Sequence, residues 1–173
     1  KRAFGVSYYG ALYLTRACLK HMTSGARIIF ISSIAALIPV PFRSVYSSVK
    51  AAELMLGEAL RMELSHTGIE VVCICPGEIK TNFSANRLAD VTTNERYGDR
   101  PAAALRHVAE KESKRMPISK VIDKLYAICT RGKKPIYIIG GKYKFFNAAR
   151  KLLPTDMFLK CTGGAVKGKG EKE

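Results

Sequence analysis

Apolar positions along this chain change period several times, and each change predicts an element. Residues 4–22 carry Leu12, Ala17, Leu19 and Met22 among the apolar positions of a helix, which Gly25 ends. Arg27–Ser33 (RIIFISS) is a short β-rich run, apolar on both faces, the pattern of a central parallel strand with helices on either side. Pro39 and Pro41 mark a loop. Val45–Leu64 then repeats Val45, Val49, Ala52, Leu56, Leu60 and Leu64 near helical spacing, with Gly68 as the stop. Ile69–Cys75 (IEVVCIC) predicts a second strand, stopped by Pro76-Gly77. Residues 78–100 are polar and irregular and read as a loop, with a helix over Pro101–Arg115 at its edge. Ile118–Arg131 is a further helix ended by Gly132, and Ile136–Ile139 (IYII) a third strand closed by Gly140-Gly141. A short helix follows at 144–152, and the Gly/Lys-rich end from Gly163 reads as disordered.

Strands alternating with helices argue for βαβ units and a parallel sheet. Three strands are few for such a sheet. The glycine-rich turn that cradles a phosphate after a first strand is nowhere in the chain, since Gly140-Gly141 follows a strand without the required spacing. The expected fold class is therefore α/β, the C-terminal half of a doubly wound, Rossmann-like domain over residues 1–141. A basic amphipathic extension follows at 142–162, and a tail at 163–173. The chain starts at Lys1, in a helical pattern and without Met, which fits a part of a longer protein.

Composition narrows the partners. The 173 residues are 47% hydrophobic and 25% charged, enough for a core and ordinary for a globular protein. The net charge of +15 raises nucleic acid, an anionic membrane surface or a small anion as partners. The excess concentrates at 131–173, where eleven Lys and Arg meet three acids. No stacking platform or reading helix accompanies that tail, so nucleic acid is not expected. Within 142–160, Phe145, Phe146, Ala149, Leu152 and Leu153 gather on one helical side, with Lys144, Arg150 and Lys151 elsewhere. Such a helix suits peripheral contact with an anionic membrane, closure of a substrate pocket, or an oligomer interface. No run of residues is long enough to span a bilayer. The five cysteines (18, 73, 75, 129 and 161) are odd in number and fit no metal pattern, which suggests buried reduced thiols in a cytoplasmic protein. His21, His66 and His107 have no partner at ligand spacing, so no metal is expected.

Chemistry enters at Tyr46-Ser-Ser-Val-Lys50. Residues four apart share a helix face, so the Lys50 ammonium can sit beside the Tyr46 phenol and favour its phenolate. That turns a weak acid into a usable proton donor and acceptor near neutral pH. Ser33 lies thirteen residues earlier at the carboxyl end of the first strand, where open α/β sheets bind ligands. The second strand ends in Pro76-Gly77-Glu78-Ile79-Lys80-Thr81, again at a carboxyl end.

Strand-Ser-Ser, Tyr-x-x-x-Lys opening a long helix, and strand-Pro-Gly-x-x-x-Thr together resemble the C-terminal pattern of the short-chain dehydrogenase/reductase family over about residues 1–141. The resemblance implies an oxidoreductase that moves hydride between NAD or NADP and a secondary alcohol or ketone. Ser33 would polarise the carbonyl, Tyr46 would be the acid/base, and Lys50 would contact the nicotinamide ribose and tune Tyr46. Pro76, Gly77, Ile79 and Thr81 would pass the nicotinamide, with Thr81 near its carboxamide. The stretch holding Arg87, Arg96, Arg100 and Arg106 would be a substrate lid, or simply a solvated basic loop. The helices at 4–22 and 45–66 would build a homo-oligomer. By analogy, an apolar lid and C-terminal helix lean toward a lipid- or steroid-like substrate. Two departures stand out. Ser7 occupies the place of the family's frequent Asn in Val6-Ser7-Tyr8-Tyr9-Gly10, and the family's glycine-rich turn is absent. The chain alone is thus expected to bind cofactor poorly and to be inactive. An alternative from another class is an inactive fragment or pseudoenzyme that binds a membrane or protein through its basic end.

Overall fold

The structure, a computed structural model, describes residues 1–80, 96–110 and 115–163. A π-helical turn, Phe4–Tyr9, runs into α1 (Gly10–Leu19). There follow β1 (Arg27–Ile31), a 3-10 turn (Ile34–Ala36), α2 (Ser44–Glu63), β2 (Glu70–Pro76) and a two-residue β3 (Ile79–Lys80). The remainder is α3 (Arg100–Glu110), β4 (Met116–Pro117), α4 (Ser119–Arg131), β5 (Ile136–Ile139), α5 (Gly141–Leu152) and α6 (Thr155–Gly163).

The main sheet has the order β1-β2-β5, and both pairings are parallel. Ile29 lies opposite Val72, and Ile74 opposite Tyr137. Side chains alternate between faces along a strand, and β2 uses this to feed two cores. Val71, Cys73 and Cys75 pack with Ile28, Phe30 and Leu54 under α2. Val72 and Ile74 pack with Val121, Ile128 and Ile139 under α4. The α/β expectation of parallel strands between helical layers holds. Within the described sheet β1 pairs on one side, with β2, its Ile28 and Phe30 buried and Ile31 53% exposed. The strand buried on both faces is β2, whose Val71–Cys75 are at most 1% exposed.

The predicted helical stripe of α2 is met at Val49, which is buried, and at Leu56, Leu60 and Leu64, which pack on the core. Val45 departs from it, 60% exposed, and Ser47, Glu53, Leu54 and Gly57 join the buried face. The helix approaches the sheet closely. A Cβ at Gly57 would collide with the Cys73 Sγ and press on the Phe30 ring, so the missing side chain sets how near α2 lies to the sheet. Arg61 fastens the far end, donating to the Val71 carbonyl at 2.6 Å and the Lys133 carbonyl at 2.9 Å. Gly25 and Gly68, with φ of +88° and +73°, make the turns expected of them, joined by a Gly25 N–H to Gly68 carbonyl bond of 2.9 Å.

Other boundaries differ in detail. Ile79–Lys80, read as loop, pairs in parallel with Met116–Pro117. The helix expected at 144–152 starts at Gly141, and α6 follows it. Most of the expected loop at 78–100, the helix end past Glu110, the side chain of His107 and the tail at 164–173 lie outside the described residues. The cysteines are all free, but only Cys73 and Cys75 are buried; Cys18 and Cys161 are exposed.

Candidate functional site

Ser33 stands where β1 ends. It caps the 3-10 turn, its Oγ accepting the Ala35 N–H at 3.2 Å. That use of a lone pair leaves the hydroxyl proton for an oxygen acceptor. Tyr46 lies half-buried in the first turn of α2, with the Arg43 guanidinium 4.7 Å from its ring centroid. Lys50 follows one turn later, its side chain 16% exposed. Its ammonium donates to Glu53 Oε2 at 2.8 Å and to the Ile31 carbonyl at 3.2 Å. Ser32, buried, donates its hydroxyl to the Lys50 carbonyl at 2.8 Å, tying the strand end to the helix. The segment between strand and helix is held as well, since the Val40 N–H donates to Ser47 Oγ at 3.4 Å. Phe42 there has a φ of +58°, a rare backbone for a bulky residue, and packs edge-on against Tyr97.

Pro76 and Gly77 close β2, and the Gly77 N–H donates to the Ile139 carbonyl at 3.0 Å. The Tyr143 ring fills the space beside Gly77, where a Cβ would overlap it. The Tyr143 hydroxyl accepts the Glu78 N–H at 3.3 Å and donates to Glu78 Oε2 at 2.8 Å. Lys142 adds a 3.0 Å bond to the same oxygen. Burial raises the Glu78 pKa, but the bonds from Lys142 and Tyr143 outweigh it and hold the carboxyl below its usual range. Burial also keeps Tyr143 protonated, its pKa raised. Ile79 packs into the core under α4.

Thr81 and Arg87 lie outside the described residues. Of the other loop arginines, Arg100 stacks over Phe42 at 5.9 Å and Arg106 pairs with Asp99. The Cys73 and Cys75 thiols are pushed up by burial to about 11 and about 12, so neither is a nucleophile at neutral pH. Sequence reasoning missed Ser32, Arg43, Glu53, Glu78 and Tyr143. Glu53 carried a signal, as an acid within the apolar stripe of a helix three residues after the lysine. Tyr143, sixty-five residues from Glu78, carried none.

The residues present fit one end of a nicotinamide dinucleotide. An ammonium has three N–H donors, and two of those on Lys50 are engaged, which leaves one for a ribose hydroxyl. Nothing among the described residues fits the pyrophosphate. The positive-φ glycines among them, 25, 68, 98 and 140, are scattered, and Gly140, which caps α5, has the Tyr143 ring against it.

Similarity to known proteins shows the family and the fold. Residues 1–92 match the short chain dehydrogenase family, and the chain belongs to it. A dehydrogenase/reductase SDR family protein 7-like of Drosophila melanogaster is 30% identical over 164 residues, covering 94% of this chain and 47% of that protein. The NADPH-dependent 3-dehydrocapnine reductase of Ornithobacterium rhinotracheale is 31% identical over 169 residues, covering 92% of this chain and 60% of the relative. The chain thus spans about half the length of these relatives. A short chain dehydrogenase/reductase from Burkholderia phymatum in complex with NAD superposes with a TM-score of 0.70 at 20% identity, over 91% of this chain and 58% of that one. One from Burkholderia cenocepacia J2315 in complex with NADP gives 0.67 at 22%, over 91% and 56%. These likenesses establish the fold.

Proposed function

We propose that this chain supplies the catalytic group of an NAD- or NADP-dependent oxidoreductase that interconverts a secondary alcohol and a ketone. The observation that carries the reading is the assembly at the end of β1. Ser33 caps the turn there, and Lys50 is bonded to the Ile31 carbonyl one helical turn from Tyr46. The Ser33 hydroxyl donates to the substrate oxygen, Tyr46 exchanges the proton with it, and Lys50 biases that exchange and holds a ribose hydroxyl. Pro76, Gly77, Ile79 and Thr81 flank the nicotinamide, which supplies the hydride when bound. Family membership supports the class of chemistry.

The substrate is apolar, lipid- or steroid-like. A cleft of about 270 Å³ opens beside the start of α2, lined by Pro39, Val40, Phe42 and Ser47 and, from α6, Leu159. Residues 1–141 act as the catalytic unit, 142–162 as an extension that closes this cleft, and 163–173 as a tail. Cofactor binding needs a pyrophosphate seat beside the open edge of β1, so residues 1–173 alone bind cofactor weakly and turn over poorly. The active protein is a cytoplasmic homo-oligomer. The deciding experiment is Tyr46→Phe in the full-length protein, assayed by nicotinamide absorbance with secondary alcohols and ketones of increasing chain length. Turnover should fall about 10²–10⁴-fold, the usual share of a positioned acid/base. Unchanged turnover would sink the reading.

A second reading has its own observation. Phe145 is 71% and Leu152 84% exposed, with Lys144 and Lys151 exposed nearby. An inactive protein could use that surface against an anionic membrane. No helix among the described residues is long and apolar enough to cross one.

A further inference from the structure

Glu53 is 5% exposed, in the middle of the face that α2 turns to the protein. Charged side chains are almost never so buried unless paired, because desolvation disfavours the ion. Its partner is Lys50, one turn earlier on the helix, at 2.8 Å. The same ammonium reaches the Ile31 carbonyl at 3.2 Å, and the Lys50 carbonyl is gripped by Ser32 at 2.8 Å. A lysine stem has four rotatable bonds, and a single carbonyl acceptor would leave its head free to wander. The carboxylate supplies the second anchor.

We propose that Glu53 is a positioning residue for Lys50, fixing its ammonium at the carboxyl end of β1 and offsetting part of its charge at Tyr46. The proposal rests on the reading of Tyr46 and Lys50 as the catalytic pair. Along the helix axis, Glu53 is about 10 Å from Tyr46 and Lys50 about 6 Å, from the 1.5 Å rise per residue. The nearer cation dominates, and the carboxylate weakens it. From the elements packed against α2, the Cys75 thiol of β2 faces Lys50. Glu58 and Arg61 are the next charges along α2. Glu53 is therefore the nearest anion to the ammonium among the described residues.

The test uses the full-length protein with Glu53→Gln, which removes the charge and keeps the shape, and Glu53→Asp, which keeps the charge. Without cofactor, the Lys50 13Cε resonance, assigned by its loss in Lys50→Arg, is followed against pH. Glu53→Gln should move that resonance's pH profile to lower pH relative to the unmutated protein, and Glu53→Asp should not. In turnover, the pH limb of the Glu53→Gln variant should lie at lower pH than that of the unmutated protein. The sign follows from charge, since removing an anion favours the phenolate. Glu53→Asp should keep the unmutated limb. An unmoved Lys50 titration overturns the pairing, and an unmoved limb overturns the electrostatic role. Turnover indifferent to Tyr46→Phe overturns the catalytic reading instead, and the lysine titration then decides the pairing alone.

Discussion

Helices α2 and α5 both follow a strand of the same parallel sheet, and both are amphipathic in sequence, yet they sit on the protein in opposite ways. In α2 the apolar side is pressed to the sheet, with Val49 2% and Leu54 6% exposed. In α5 no residue is buried, and Phe145 and Leu152 face outward. What holds α5 is its first turn: the Tyr143 ring against Gly77, and Tyr143 and Lys142 bonded to Glu78. Helical period tells that a helix forms. Which side meets the protein depends on the size of the residue at closest approach, Gly57 in one case and Tyr143 against Gly77 in the other.

Truncation should expose the contrast most strongly. Leu54→Ala removes a buried side chain from the core under α2 and should cost about 2–5 kcal/mol by urea melting. Leu152→Ala makes the same chemical change on an exposed position and should cost less than about 0.5 kcal/mol. Leu152→Ala and Phe145→Ala should nevertheless reduce binding to vesicles rich in anionic lipid, if that face is a membrane contact. Equal costs for the two leucines would mean that α5 is covered in solution.

Gly57→Ala sharpens the comparison from the other side. Alanine improves helix propensity by up to about 1 kcal/mol. The added methyl meets Cys73 and Phe30, and overpacking of a tight core costs about 1–3 kcal/mol. Packing should win, for a net loss of up to about 2 kcal/mol, because the obstructing Cys73 is itself buried on β2. Turnover should fall along with stability, since the same helix carries Tyr46 and Lys50. A stabilised variant would show that α2 can slide on the sheet.

These contrasts mark what the sequence could and could not tell. The β1–α2–β2 unit was legible because its signals are local: an apolar run, Tyr and Lys one turn apart, and Pro-Gly closing a strand. The α2 stripe was legible at Val49, Leu56, Leu60 and Leu64, but its depth was not, because depth here is set by one glycine against Cys73. The partners of the candidate site follow the same rule. Ser33, Tyr46 and Lys50 announce themselves by spacing, whereas Ser32 and Glu53 matter only once the Lys50 head and backbone are seen to bend back toward β1. The Glu78–Tyr143 bond joins residues 65 apart and has no sequence signature.

That bond gives the smallest effect, and pH separates its parts. Tyr143→Phe keeps the ring against Gly77 and removes the hydroxyl, which should cost about 1 kcal/mol at neutral pH. Glu78 is 39% exposed, so solvent screens the pair and little more is expected. The sign with pH follows from linkage. The Glu78 carboxyl titrates lower in the folded protein than its ordinary value of 4.5. The stability this contributes is present above that ordinary value and is lost as pH falls through the folded one. Tyr143→Phe removes one cause of the depression, so the variant should lose less on acidification than the unmutated protein. The gap between them should be widest near neutral pH and close as pH falls through the folded Glu78 value. A gap that stays constant would mean that the hydroxyl serves the Glu78 N–H alone, and that Lys142 by itself ties α5 to the turn that ends β2.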